Sequence, residues 1–107
     1  QGIGIGHGLV TGAAHIARTP RDVANFHKGD ILITKTTNAE YLDAIRKASA
    51  IVVEDEGLTC HAAVLGLRLD IPVIVGVKGA TDSIRGGTVI TLDVQRGSIY
   101  SGAISFN

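Results

Sequence analysis

The amino-acid sequence predicts one α/β domain, in which a mixed β-sheet carries helices packed on it. Short β-branched segments typical of strands alternate along the chain with segments in which apolar residues recur at helical spacing. Such an alternation produces layers of helix and sheet around a common core. The 107 residues are 45% hydrophobic, enough for one core, and no internal repeat or linker divides them. A single domain is therefore expected over residues 1–107.

The N-terminal part of the chain predicts two strands. The alternating glycines of residues 2–8 indicate a flexible turn, and the sequence contains neither GxGxxG nor a GxxxxGK phosphate loop. Residues 9–17 alternate as a strand does, with Gly12 at a bulge or at a close approach of two backbones. A turn at residues 28–30 then leads into a second, β-branched strand at Ile31–Thr34.

Residues 36–50 predict the clearest amphipathic helix of the chain. Thr37 and Glu40 match a capping box, in which two side chains satisfy backbone N–H groups at the helix start. Apolar residues follow at helical spacing, so one face of this helix is expected to pack on the sheet. A buried strand, Ile51–Val53, comes next and ends in three acidic residues.

The second half of the chain predicts a helix, a strand, a helical turn and a hairpin. Residues 59–70 are apolar nearly all round, broken only by Arg68, which predicts a helix buried on most sides. Residues 71–76 read as a short buried strand, and residues 77–87 hold one helical turn. Residues 88–102 carry alternating apolar residues on both sides of a turn, which is typical of a hairpin.

Composition excludes several classes of partner. Lys and Arg together number 10, as do Asp and Glu, so the formal charge is zero and no basic stripe indicates nucleic acid as a partner. The single Cys cannot form an internal disulfide, and no segment has the ~18 uninterrupted apolar residues of a membrane span. A cytoplasmic location and no membrane partner are therefore expected. The chain begins at Gln1 and contains no Met, which indicates a domain cut from a longer polypeptide.

The stretch EGLTCHAA, residues 56–63, carries the candidate functional residues. If Thr59 caps the following helix, Cys60, His61 and Ala62 form its first turn. The unpaired N–H groups of a first turn, together with the helix dipole, make an anion pocket. The same field disfavours a positive charge, so the imidazole of His61 is expected to be neutral and nucleophilic. The stretch therefore predicts a phosphate-binding site in which His61 can accept a phosphoryl group.

Structural interpretations of the same residues stay open. A histidine at a helix start is often only a polar cap, and Cys60, which points away from His61, is expected to pack as a small hydrophobe. The acidic run 54–56 could bind a cation, although such runs are more typical of a solvated strand edge. Arg68 is expected at the surface. Scattered histidines and a lone Cys without a CxxC partner predict no metal site.

Most of the chain resembles a known family. Residues 56–81, EGLTCHAAVLGLRLDIPVIVGVKGAT, resemble the phosphohistidine signature of the phosphoenolpyruvate (PEP)-utilising enzymes, which include PEP synthase, pyruvate phosphate dikinase and the first enzyme of the sugar phosphotransferase system. Residues 29–57 and 86–102 are similar to the segments that precede and follow it. The resemblance implies a swivelling β/β/α sandwich. It also implies that His61 carries the phosphoryl group, with Thr59 orienting the ring or the phosphate.

Two departures from the relay enzymes favour one branch of this family. Glu56 stands where those enzymes have the first of two glycines, so that only Gly57 is left, and a carboxylate there would repel a phosphoryl donor. Gly66 and Leu67 stand where the relay enzymes have Ala and Arg. This part of the chain resembles instead the copy of the domain that is fused to the C-terminus of many bacterial pyruvate kinases.

The pyruvate kinase resemblance implies a structural or regulatory domain of a phosphotransferase that is not active alone. The parent reaction moves the phosphoryl group from PEP to ADP, giving pyruvate and ATP, with Mg²⁺ and K⁺ bound elsewhere and no cofactor in this domain. Implied partners are the remaining domains of a homo-oligomeric parent and a phosphate or phosphorylated metabolite. The alternative is an active relay domain of a PEP synthase or pyruvate phosphate dikinase, in which His61 is the phosphoryl acceptor.

Overall fold

The described part of the chain forms a seven-stranded mixed β-sheet with short helices beside it. The computed structural model describes residues 2–6, 8–37, 39–54, 64, 66 and 68–101. The strands are β1 (Ile3–Ile5), β2 (Leu9–Ala17), β3 (Ile31–Thr34), β4 (Ala50–Val53), β5 (Val73–Val75), β6 (Val89–Asp93) and β7 (Ser98–Ser101). The helices are α1 (Leu42–Lys47) and α2 (Ala80–Ser83), with 3-10 turns at Pro20–Val23 and Ala39–Tyr41. Positions 64, 66, 68 and 69 are also α-helical. No helix in these ranges has the length and hydropathy that a membrane span requires.

The strand order is β1-β5-β4-β3-β2-β6-β7. The four central strands, from β5 to β2, run parallel to one another. The outer pairs β1–β5, β2–β6 and β6–β7 are antiparallel. This arrangement confirms the predicted α/β domain with a mixed sheet. The predicted strand within 71–76, helical turn within 77–87 and hairpin within 88–102 are confirmed as β5, α2 and β6–β7.

Strand β2 pairs with a different neighbour in each half. Its first half, from Leu9 to Ala13, pairs with β6, and its second half, from Ala14 to Ala17, pairs with β3. Gly12 lies next to the change of partner, and a Cβ built there would stand 2.7 Å from the carbonyl oxygen of Gly29. The close backbone approach predicted for Gly12 is therefore confirmed.

Both faces of the central strands are buried, and each face belongs to a different hydrophobic cluster. Every residue of β3 and β4 is buried, which is typical of parallel strands covered on both sides. The first cluster packs against α1 and contains Leu32, Ile45, Ile51, Val53, Val73 and Val75, among others. The second cluster packs against β6 and contains Ile31, Ile33, Val52, Ile74, Ile90, Leu92 and Val94, among others. Alternate residues of each strand thus face α1 and the β6–β7 hairpin.

The glycine-rich segment at the N-terminus forms a strand and not only the flexible turn that was predicted. Strand β1 pairs antiparallel with β5, and the N–H of Gly2 donates to the carbonyl oxygen of Gly97 at 3.0 Å. A Cβ at Gly4 would lie 1.5 Å from the carbonyl oxygen of Val94, so only glycine permits this approach to the end of β6.

Helix α1 is shorter than the predicted helix over residues 36–50. It has six residues and is preceded by a 3-10 turn. The helix ends because Ala48 has extended backbone dihedrals, φ −71° and ψ 141°. The next residue, Ser49, donates from its N–H to the carbonyl oxygen of Asp30 and from its hydroxyl to that of Gly29. These bonds direct the chain into β4.

The helix predicted over residues 59–70 is not buried on most sides where it is described. Val64 and Leu69 are 42% and 39% exposed, so apolar character all round did not mean burial all round. Arg68 is exposed, as expected. Gly66 is buried, and a Cβ there would stand 2.3 Å from Cγ2 of Val73, so this glycine lets the helix approach β5.

The contact between β1 and the end of β6 yields a stability prediction. Replacing Gly4 by Ala places a methyl group against the backbone of Val94, and we expect a loss of about 2 to 3 kcal/mol in the free energy of unfolding measured in urea. Gly86→Ala is the control, because its Cβ would meet only Cγ1 of Ile16 at 3.4 Å. Equal stabilities for the two variants would contradict this packing.

Candidate functional site

The predicted site residues Thr59, Cys60, His61 and Ala62 lie outside the described residues. They belong to the stretch that connects the end of β4 to the helical position 64. The described residues include the point at which this stretch leaves β4, at Glu54.

That point belongs to the edge formed by the carboxyl ends of the parallel strands β2, β3, β4 and β5, which we name the carboxyl edge. The strands end there at Ala17, Thr34, Val53 and Val75. In α/β proteins, ligands bind in the crevice outside the carboxyl ends of the parallel strands. The family histidine thus lies on a chain segment that starts from the edge at which such sites are usually built.

Glu54 fixes the start of that segment. Its N–H donates to the carbonyl oxygen of Thr34 at 3.1 Å, which extends the pairing of β4 with β3. Its carboxylate oxygen Oε2 accepts two hydrogen bonds from one residue of α2, from the N–H of Thr81 at 3.0 Å and from its hydroxyl at 2.5 Å. The side chain therefore ties the last residue before the site segment to α2.

These hydrogen bonds lower the pKa of Glu54 below its ordinary value of 4.5. The hydroxyl of Thr81 is the largest cause and the N–H of Thr81 the second, because both donate to the ionised carboxylate. Partial desolvation acts in the opposite direction, and the charge of Lys35 makes a smaller contribution in the same direction as the hydrogen bonds. The carboxylate of Glu54 thus has a structural role in joining β4 to α2, and because it is only partly buried this role is compatible with the predicted strand edge.

Arg18 holds α2 from the other side. The guanidinium nitrogen Nη2 of Arg18 donates to the carbonyl oxygen of Thr81 at 2.7 Å and to Oδ1 of Asp82 at 3.1 Å. Its backbone N–H donates to the carboxylate of Asp22 at 2.7 Å, and this bond is the main reason why the pKa of Asp22 lies below its ordinary value. Arg18, which follows β2, and Glu54, which follows β4, therefore both bind Thr81 of α2.

The sequence interpretation missed this Glu54, Thr81 and Arg18 network. The sequence shows only the two separate parts of this network. Glu54 directly follows a β-branched strand, and Thr81 lies within a predicted helical turn. Their pairing spans 27 residues and follows only from the adjacency of β4 and β5 in the sheet.

Two histidines that are far apart in sequence meet at one carboxylate. Nδ1 of His15 and Nδ1 of His27 lie 3.6 Å and 3.8 Å from Oδ2 of Asp30. Nε2 of His15 lies 2.5 Å from the carbonyl oxygen of Asp22, and because a carbonyl oxygen can only accept, Nε2 is the donor of this hydrogen bond. The group joins β2 to the turn before β3. Among the residues that the structure describes, no three His, Cys, Asp or Glu side chains are placed to hold a metal ion.

The bond between Thr81 and Glu54 can be tested by substitution. Thr81 is 2% exposed, and Thr81→Val keeps its shape but removes the hydroxyl donor, so we expect a loss of about 1 to 3 kcal/mol in unfolding free energy. Thr81→Ser keeps the hydroxyl and loses a methyl group. The Ser variant should be the more stable of the two, and the reverse order would show that packing and not the hydrogen bond dominates.

The lowered pKa of Glu54 predicts a pH dependence of stability. A carboxyl whose pKa is lowered by folding stabilises the protein above its unfolded pKa, and this contribution disappears as the pH falls from about 4.5 through the lowered value. Glu54→Gln lacks the titrating group, whereas Asp22 titrates in both proteins. Urea unfolding at several pH values should therefore show wild type and Glu54→Gln differing at neutral pH and converging in acid. A constant difference over that range would contradict the assignment.

Comparison with known proteins places this architecture in a family. Residues 26–97 match the family described as PEP-utilising enzyme, mobile domain. The chain is 52% identical over 104 residues to pyruvate kinase 2 of Synechocystis sp., and these residues are 97% of this chain and 18% of that protein. It is 35% identical over 104 residues to a probable phosphoenolpyruvate synthase of Archaeoglobus fulgidus, again 97% of this chain and 14% of the relative. The chain thus spans less than a fifth of the length of these curated relatives.

Solved structures share the fold at low sequence identity. Aconitase X of Thermococcus kodakaraensis superposes with a TM-score of 0.73 at 17% identity, over 96% of this chain and 97% of that one. An Enzyme I protein, nEIt, superposes with a TM-score of 0.61 at 17% identity, over 74% of this chain and 33% of that one. These structures support the fold alone. The family match and the sequence relatives together confirm the resemblance found in the sequence, and the chain belongs to the PEP-utilising enzyme mobile domains.

Proposed function

We propose that this chain is the C-terminal PEP-utilising-type domain of a pyruvate kinase-like enzyme, with a structural or regulatory role and a phosphate-binding site at residues 59–62. One observation carries the proposal. Nearly the whole chain is 52% identical to pyruvate kinase 2 of Synechocystis sp. but corresponds to only 18% of that protein. Such coverage is expected of one domain within a larger enzyme. The parent reaction is then phosphoryl transfer from PEP to ADP, giving pyruvate and ATP.

The proposed site binds its anion without covalent chemistry. In the proposal, residues 59–62 begin a helix as the sequence predicts, and Thr59 caps its first turn. The backbone N–H groups of Cys60, His61 and Ala62, together with a ring N–H of His61, are then the proposed donors to the phosphate oxygens. One cation of the carboxyl edge supports this assignment, because Lys35 follows β3 there, whereas Arg18 is already paired with Asp82.

The architecture supports a swivelling β/β/α sandwich. The hairpin β6–β7, the parallel strands and α1 supply three successive layers, since the two hydrophobic clusters lie on opposite faces of the parallel strands. In the proposal, the partners of this unit are the remaining domains of a homo-oligomeric parent and a phosphate or a phosphorylated metabolite. The Mg²⁺, K⁺ and ADP or ATP of the parent reaction bind in those other domains, and this domain needs no cofactor.

Relatives named PEP synthase favour a second candidate function. In a relay domain, the lone pair of His61 attacks the phosphorus of a donor, and an N–P bond forms while the P–O bond to the donor breaks. Of the departures from the relay pattern, Gly66 has a packing cause, because it lies against Val73 at the approach of its helix to β5. The preference for the first candidate therefore depends on Glu56, Leu67 and the pyruvate kinase relatives.

Phosphate binding at the site is testable in the chain itself. Titration with inorganic phosphate should shift the backbone amide resonances of residues 59–62, and His61→Ala should weaken the affinity about threefold to tenfold because one donor is lost. His27→Ala is the control, since His27 is exposed and lies beside Asp30. Shifts elsewhere with none at residues 59–62 would contradict the site.

The two candidate functions differ in covalent chemistry. We expect that incubation with PEP and the donor domain of a relay enzyme leaves His61 without an acid-labile phosphoryl group in the mass spectrum. In the full-length parent, His61→Ala should then keep pyruvate kinase turnover within about threefold. Stoichiometric phosphorylation of His61, or a loss of turnover by roughly a hundredfold or more, would replace the proposal with the relay.

A further inference from the structure

A cleft of about 550 Å³ opens between α2 and the β6–β7 hairpin. Its volume lies within the range of roughly 300 to 1,000 Å³ that small-molecule sites occupy. The cleft lies on the second hydrophobic cluster, which is on the opposite face of the parallel strands from α1. It is built from residues that the phosphate site at 59–62 does not use.

The floor of the cleft is part of the hydrophobic core. It is formed by Val77, Ala80, Ile84, Ile90 and Ile99. Ala80 and Ile90 are buried members of the second cluster, whereas Val77, Ile84 and Ile99 pack against it and are only partly buried. An apolar group in the cleft would remove the exposed parts of these three side chains from water, which favours binding.

The charged residues of the cleft are all cationic. Lys78 and Arg85 line it, and no acidic residue is among its described lining residues. The guanidinium group of Arg85 forms no ion pair with a carboxylate of the described residues. Arg85 is therefore available to meet an anionic group at the mouth of an apolar cleft.

The backbone at Arg85 is held in place by its neighbours. Its carbonyl oxygen accepts from the N–H of Thr88 at 3.3 Å and from the Thr88 hydroxyl at 2.6 Å. The same turn is joined to β2, since the N–H of Gly87 donates to the carbonyl oxygen of Ala14 and the N–H of Ala14 donates to that of Thr88. A cation carried on a fixed turn loses less conformational entropy on binding than one on a free loop.

From this combination we infer that the cleft binds a small organic anion, with an apolar frame on the core residues and a carboxylate, sulfonate or phosphate group at Arg85. Both parts of the ligand are required, because the apolar floor holds the frame and Arg85 holds the charge. Inorganic phosphate, which has no apolar part, should bind at residues 59–62 and not here. Failure of binding at the cleft would therefore leave the proposed function untouched, and the reverse also holds.

A pair of fluorescent probes tests both requirements. 8-Anilinonaphthalene-1-sulfonate and N-phenyl-1-naphthylamine share one aromatic frame and differ in the sulfonate. Titration of the chain should show the sulfonate bound more tightly, and Arg85→Gln should weaken that probe about tenfold while changing the neutral probe less than about twofold. Arg46→Gln is the matched control, because Arg46 is exposed on α1 at the opposite face.

The position of the probe is measured in the same samples. Chemical-shift changes on adding the sulfonate should concentrate on the amides of residues 77, 84–90 and 99, in wild type and in Arg46→Gln alike. Three results would each overturn the inference. They are no binding of the sulfonate probe, equal weakening of both probes by Arg85→Gln, and shift changes that map to the face of α1.

Discussion

The burial of β3 and β4 on both faces is the constraint on which the rest of this structure depends. Every position of these two strands is buried, so apolar layers are required on two sides. Helix α1 supplies one layer, and the β6–β7 hairpin supplies the other. The division of β2 between two partners follows from this requirement, because β2 must pair with β3 at one end and carry β6 over the second face at the other.

The same arrangement explains why charged and hydrogen-bonding side chains lie together at the carboxyl edge. Four parallel strands end together, and the residues directly after β2 and β4 are held by contacts to α2 and not by their own sequence. Glu54 and Arg18 both bind Thr81, so a helix of four residues, too short to be stable alone, is fixed between β2 and β4. The chain segment that carries His61 begins directly after Glu54. In the proposed function, the phosphate site at residues 59–62 follows this point along the chain.

The sequence predicted those elements whose structure depends mainly on neighbouring residues. The strand at 9–17 was predicted from its alternation, and the strands at 31–34 and 51–53 from their β-branched residues. Strand β1 was missed because its glycines resemble a turn, whereas in the structure β1 pairs with β5 and the close approach to Val94 requires glycine at position 4. The exposure of Val64 and Leu69 could not be predicted either. An apolar side chain can be buried, but whether it is buried depends on which other elements pack against it.

The candidate site likewise has features that the sequence predicts and features that it does not. The pattern at Thr59 and His61 is local, and the family resemblance that it carries is confirmed by relatives over nearly the whole chain. The Glu54 to Thr81 bond and the Arg85 cleft were not predictable, because both join elements whose adjacency depends on strand order. A strand order of β1-β5-β4-β3-β2-β6-β7 cannot be derived from periodicity, which identifies elements and not their neighbours.

The most direct test of the account is a crystal structure of this chain grown with inorganic phosphate. The account predicts that residues 59–62 form the open first turn of a helix beside the end of β4, with a phosphate accepting hydrogen bonds from their backbone N–H groups. A ring of His61 enclosed beneath apolar side chains, or a non-helical conformation at these residues, would contradict it.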